Sequence, residues 1–300
     1  MAVAAEVLVT RAPLPAGAEK VRVVEYTDPY SIWCWGCEPA IRRLEMRYPD
    51  AVEIDVKMGG LFEDFEPVRA QWARMSGGKW QDSVLAFMNA VADQHRMPMD
   101  PSKMVVSIDD FRSTWPACVA VKAAEAQGTL AGRRYLRRLR EAALTEGRRI
   151  HRREVQLDVA FEAGLDANGF ALALDDDSAD RAFRKDLEEC RTLGITGFPT
   201  FEVKKGFVSL RVEGWQPWEV FDEAIHKVDS ELQPRRLEPN AETVREVMKR
   251  YGSCATREIG AIFGLSDDET EILLEDLEAR AVVRRREVGR GLFWESTSAT

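Results

Sequence analysis

Two cysteines three residues apart, Cys34 and Cys37, close a run that starts in an apolar strand: VRVVEYTDPYSIWCWGC, beginning at Val21. A C-x-x-C pair at the mouth of a helix can make a reactive thiol. Helix-terminal N–H groups favour the thiolate, and the second thiol can close a disulfide. The same spacing also puts two thiols on one helical face, where they pack as small apolar groups. The spacing alone serves both readings, so the elements around it must decide.

Those elements can be read in order. Val21–Thr27 is an apolar strand that Asp28-Pro29 stops. A helix through Ile41, Leu44 and Met46 ends near Tyr48-Pro49, and 51–58 alternates as a second strand ended by Gly59-Gly60. Strand–helix–strand at this length predicts a parallel pair. From about Glu66 to Glu189 the pattern is helical throughout. Within it, Arg133–Arg140 is a basic run interrupted by Leu136 and Leu139 at helical spacing, which predicts a solvated helix face rather than a phosphate site. Strands return at 197–204 and 207–215 around Gly206, followed by a helix from Gln216 to about Ser230.

The expected organisation is an N-terminal arm over 1–20, a main α/β domain over 21–231 with a helical insert at about 66–189, and a linker at 232–240. The last stretch, 241–300, reads as three short helices and two strands, a small α+β domain of winged-helix type.

Composition narrows the function classes. The 300 residues carry a net charge of −9, which makes nucleic acid and anionic membrane poor default partners. No apolar run approaches the roughly 20 residues of a membrane span. The first residues have no basic n-region, and Glu6 breaks their short apolar run. Five cysteines are too few for a disulfide framework and odd in number, which favours a reducing, cytoplasmic setting. The three histidines are scattered and show no metal-ligand spacing.

A strand–helix–strand unit and a strand–strand–helix unit around C-x-x-C resemble the thioredoxin fold, and a helical block between the halves resembles the DsbA family. Gly194–Phe201, GITGFPTF, looks like that family's cis-proline loop. An X-Pro bond is the kind that adopts cis at low cost. The segments STWPAC from Ser113, RRYLRRLREAAL from Arg133 and EAGLDANGF from Glu162 are similar to cytoplasmic members. These include FrnE-like dithiol isomerases and adaptors that present a transcription factor to a protease.

The resemblance implies a thiol–disulfide oxidoreductase or isomerase, with Cys34 attacking and Cys37 resolving. Phe198, Pro199, Trp33 and Trp35 would form the substrate-binding surface. The partner would be a thiol- or disulfide-containing protein or small molecule. Neither cofactor nor metal is implied. An adaptor with vestigial redox chemistry is the second expectation.

Register complicates the motif. In the DsbA family the attacking cysteine follows the end of the first strand by about six residues, and that count from Glu25 reaches Ser31. Glu38 and Pro39 lie seven and eight residues beyond Ser31, the spacings expected of an acidic residue and a kink proline. Ser31 then holds the family's nucleophile position, and a hydroxyl cannot carry out disulfide exchange. Serine there also resembles kappa-type glutathione transferases and hydroxychromene carboxylate isomerases, which implies glutathione as a co-substrate held by Ser31.

In the terminal domain, the third helix carries Asp267, Asp268, Glu269, Glu271, Glu275, Asp276 and Glu278 before its first basic residue, Arg280. That surface repels phosphate. A role in dimerisation or protein docking is expected of this domain in preference to nucleic-acid binding.

Overall fold

The computed structural model describes Leu8–Val9 and residues 19–297. The rest of the expected arm lies outside the described residues. In chain order the main domain opens with β1 (Leu8–Val9), β2 (Val21–Thr27), α1 (Ile32–Trp35), α2 (Glu38–Arg47) and β3 (Val52–Met58). Eight helices follow: α3 (Glu66–Met75), α4 (Trp80–His95), α5 (Pro101–Ser107), α6 (Trp115–Glu125), α7 (Thr129–Leu144), α8 (Arg153–Glu162), α9 (Ala167–Asp175) and α10 (Ser178–Thr192). β4 (Thr200–Lys205), β5 (Val208–Glu213) and α11 (Trp218–Val228) complete it.

The sheet order is β1-β5-β4-β2-β3. β2 and β3 are parallel, as a crossover through a helix requires, and the other pairs are antiparallel. Alternation sorts the faces of β2. Val21 and Val23 pack with Ile41 and Leu44 of α2 and with Phe221 and Ile225 of α11. Val24 and Tyr26 point the other way, against Cys190 and Ile195. The insert packs around a large core of residues such as Tyr135, Leu139, Val159 and Phe170, which also takes in Trp35 of α1, Met58 of β3 and Phe293 near the C-terminal end.

The terminal domain comprises α12 (Ala241–Tyr251), β6 (Ser253–Ala255), α13 (Thr256–Phe263), α14 (Asp267–Ala279), β7 (Val283–Val288) and β8 (Gly291–Ser296). Its sheet has three strands in the order β6-β8-β7. β6, only three residues long, gives no periodic signal in the sequence. Asn240 caps α12 and Ser266 caps α14, each in a reciprocal capping box.

This domain is docked on the rest of the molecule. Met46 of α2 belongs to the same buried cluster as Val244, Ile259, Leu277 and Trp294. Trp35 and Phe293 bring their ring centroids to 6.4 Å. The β7–β8 turn lies on the chain at Pro98–Met99, and a Cβ on Gly289, whose φ is +52°, would meet the Met99 carbonyl at 2.0 Å. That position needs glycine both for the close approach and for the left-handed backbone.

The basic run corrects the sequence reading. Arg137 and Arg140 are not solvated, and Arg140 is 1% exposed. α7 lies where main domain, insert and terminal domain meet, and carboxylates from separate elements surround it. Helical periodicity cannot reveal partners that arrive from elsewhere in the chain.

Candidate functional site

Asp28-Pro29 ends β2, and the Asp28 carboxylate shapes the turn that follows. It accepts from the Tyr30 N–H at 2.8 Å, the Leu61 N–H at 2.8 Å and the Cys118 thiol at 3.3 Å. The turn is thereby tied to the loop after β3 and to insert helix α6. Burial raises the Asp28 pKa, against the hydrogen bonds from Thr114, Leu61, Tyr30 and Cys118. Tyr30 adds a second tie: its hydroxyl accepts from the His151 N–H at 3.1 Å and lies 2.9 Å from Nδ1 of the same residue.

The turn delivers Ser31 to the N-cap of α1. Its φ and ψ of −72° and 112° are extended, and Oγ accepts from the Cys34 N–H at 3.2 Å. Serine is a preferred N-cap because its oxygen satisfies an otherwise unpaired helix donor. Ser31 therefore holds the mouth of the helix, and Cys34 is the third residue of its first turn. Cys34 is fully buried, and its thiol is pushed up to about 11. Burial dominates, and the attraction of Arg140 and the hydrogen bonds to Ser31 and Thr27 offset it only partly.

Cys37 lies deeper, in the core between α2 and the sheet. Burial raises its thiol well above the ordinary range. Both cysteines are free thiols. The activation expected of a helix-terminal cysteine needs exposure and a nearby unopposed positive charge. Here Glu25 opposes Arg140, and burial removes the water.

The expected substrate surface divides. Phe198-Pro199 is a cis peptide. The register Tyr26↔Thr200 brings this loop beside the end of β2 that leads to Ser31. The half-buried Phe198 ring lies over Gly59, where a Cβ would come within 1.8 Å of it. Trp33 is half-buried and stands 6.2 Å, centroid to centroid, from Trp215. The Trp215 indole N–H donates to the Gly36 carbonyl at 2.9 Å, which fixes the far side of the face. Trp35, expected at the rim, is completely buried and donates to the Pro98 carbonyl at 2.9 Å. Successive residues of a helix point in directions about 100° apart, so Trp33 and Trp35 cannot share a face.

Beneath this face runs a buried chain of ion pairs. Arg140 reaches Glu25 at 3.0 Å, Glu38 at 2.7 Å and the Thr27 hydroxyl. Arg137 reaches Glu38 at 3.2 Å and grips Glu258 of α13 through two nitrogens at 2.5 and 2.9 Å. Arg42 adds Glu258 at 3.2 Å and Glu45 at 3.4 Å. Burial alone would raise the Glu38 pKa, but Arg137, Arg140 and Arg42 outweigh it and hold the group at about 2. The network links the strand beside Cys34 to the terminal domain without a break.

Sequence reasoning missed Trp215, Asp28, Arg140 and Glu258. Gly214-Trp215 directly after a hairpin strand was an available signal for the first. The others show only once the chain is folded. Among the described residues no group of histidines, cysteines and carboxylates is arranged to hold a metal ion, and no helix is long and apolar enough to cross a membrane.

Comparison with known proteins adds three findings. A family model described as Thioredoxin matches residues 25–223. Curated relatives include the ClpXP adapter protein SpxH of Halalkalibacterium halodurans, 24% identical over 91% of this chain and 88% of that protein. SpxH of Bacillus subtilis is 25% identical over 93% and 90% respectively. Such matches cannot omit the whole of 241–300, a fifth of the chain. Among solved structures, the cytosolic disulfide reductase DsbM of Pseudomonas aeruginosa superposes with a TM-score of 0.53 at 26% identity, covering 67% of this chain and 97% of that one. The probable DsbA oxidoreductase of Streptomyces coelicolor gives 0.55 at 22%, covering 73% and 94%, and speaks for the fold alone.

Proposed function

The chain belongs to the thioredoxin family, with a DsbA-like helical insert, and on that premise we propose that it acts as a protein adapter of the ClpXP type rather than as a thiol–disulfide enzyme. The observation that carries this reading is Ser31 at the N-cap of α1 with both thiols buried behind it. A serine hydroxyl cannot exchange with a disulfide, and a buried thiol raised to about 11 holds little thiolate at neutral pH. The half-buried Trp33, Trp215 and Phe198, beside the cis-proline loop, suit an extended protein segment that pairs with backbone and stacks on aromatic rings. The near full-length match to adapter relatives supports the reading, because it reaches into the terminal domain beyond the thioredoxin domain. In the adapter, α14 would offer a protein partner its exposed acidic face around Ile272, which is 69% exposed.

A second reading is favoured by the 26% identity to a disulfide reductase. In it, α1 opens and Cys34 and Cys37 work as a shifted redox pair, or Ser31 binds the thiolate of glutathione as co-substrate. One pair of measurements separates the two readings. The adapter binds purified ClpX and reduces insulin no faster than buffered dithiothreitol alone. Insulin reduction that disappears in Cys34→Ser, with no ClpX binding, would transfer the assignment to redox chemistry.

A further inference from the structure

We propose that the cavity where α2, α7 and the start of β6 meet binds a small phosphate-bearing anion. The cavity has a volume of about 570 Å³, and seven arginines and five glutamates line it. All five carboxylates are already committed. Glu25 and Glu38 pair with Arg140, Glu45 with Arg42 and Arg133, Glu141 with Arg137, and Glu162 with Arg138.

Two of the arginines remain. Arg134 and Arg250 have no carboxylate within ion-pair distance among the described residues, and both are exposed. Arg250 rests its guanidinium 5.5 Å from the centroid of the Tyr251 ring. Nε of the buried Arg140 and Nη1 of Arg138 also lack an acceptor, but both atoms are closed off from solvent, so the contacts offered to a ligand are those of Arg134 and Arg250.

The site is thus supplied with donors and with positive charge, and its own carboxylates are spent. A guanidinium offers a planar fork that matches an oxyanion with two hydrogen bonds. A phosphate monoester brings about −1.5 to −2 charges near neutral pH and several acceptor oxygens, which fits two unpaired guanidinium groups better than a single carboxylate. Leu130, Leu136 and Ala163 also line the cavity, so an organic body attached to the phosphate has apolar wall to lie against. Leu130, Arg134 and Arg138 recur every four residues and so form one stripe of α7. This site does not depend on the adapter reading.

Adenosine monophosphate, with adenosine as control, is the probe for isothermal titration against the full chain at low ionic strength. The nucleotide is expected to bind at one site and adenosine not at all. R134Q/R250Q is expected to weaken nucleotide binding at least tenfold, with an unchanged far-ultraviolet circular dichroism spectrum and an unchanged melting temperature without ligand. Both side chains are exposed, so their loss leaves folding intact. Absence of nucleotide binding, equal binding of adenosine, or undiminished binding by the double variant each overturns the assignment.

Discussion

Arg137 and Glu258 meet through two hydrogen bonds of 2.5 and 2.9 Å across 121 residues of sequence, with Arg137 9% and Glu258 0% exposed at their side chains. One lies on the insert and the other on the terminal domain, so this buried pair is one of the contacts that hold the two together, beside the β7–β8 turn on Pro98–Met99. A second cation, Arg42, shares the same carboxylate. Breaking a buried pair by removing one partner leaves a charge without compensation, at a cost of about 3–5 kcal/mol. Glu258→Gln is therefore expected to lower stability by that amount in urea unfolding. A loss below about 1 kcal/mol would mean that water reaches Arg137 and Arg42 freely.

The two tryptophans that flank Cys34 are expected to behave oppositely. Trp35→Ala empties a fully buried site and removes the bond to Pro98, so it is expected to cost about 3–5 kcal/mol. Trp33→Ala removes half-buried packing, against Trp215 and the edge of the insert core, and is expected to cost below about 1.5 kcal/mol while weakening partner binding. Denaturation midpoints measured side by side check the contrast. Equal losses would place both indoles in the core.

Thiol reactivity follows from burial. With a pKa of about 11, Cys34 carries roughly two-hundredfold less thiolate at pH 8 than an ordinary cysteine. Cys34 and Cys37 are expected to resist alkylation in the native state and to react at the free-cysteine rate in denaturant. Peptide mass spectrometry after timed iodoacetamide quenches reads this directly, and rapid native labelling of Cys34 would contradict the closed geometry of α1.

Acid stability has two separable parts. His95 is buried against Gly36, and burial, followed by the nearby Arg257, lowers its pKa from 6.5 to about 4. Between those values the unfolded chain binds a proton that the folded chain refuses, so stability falls as the pH drops from 6.5 to 4. Glu38 has its pKa lowered from 4.5 to about 2, so its contribution is present above 4.5 and is lost as the pH falls toward 2. Each contribution is on the order of 3 kcal/mol. His95→Gln should flatten the upper window and leave the lower one intact. A variant as pH-sensitive as the wild type between 6.5 and 4 would show that His95 is not the group responsible.

Much of the architecture could be read before folding. The apolar, β-branched run of 21–27, the alternation of 51–58, the proline and glycine stops, and the long helical stretch that follows are local signals, and local pattern reports local structure. The GITGFPTF octapeptide located the loop that carries the cis bond at Phe198-Pro199, and the acidic character of α14 is plain in its letters. Counting from Glu25 to Ser31, and from Ser31 to Glu38 and Pro39, also worked before folding, because the resemblance to the DsbA family supplied the spacings to count against.

What the order of residues left open depended on neighbours distant in the chain. Whether a C-x-x-C pair is reactive turns on desolvation and on the charges that face it. Arg140 and Glu25, 115 residues apart, come together beside Cys34 only in the folded molecule. The basic run of α7 looked solvated because its partners Glu25, Glu38 and Glu258 lie on three other elements. Hydrophobic pattern selects the helix and its inward face. Which charges are buried, and what their burial does to a thiol, is decided by packing between segments that the sequence keeps apart.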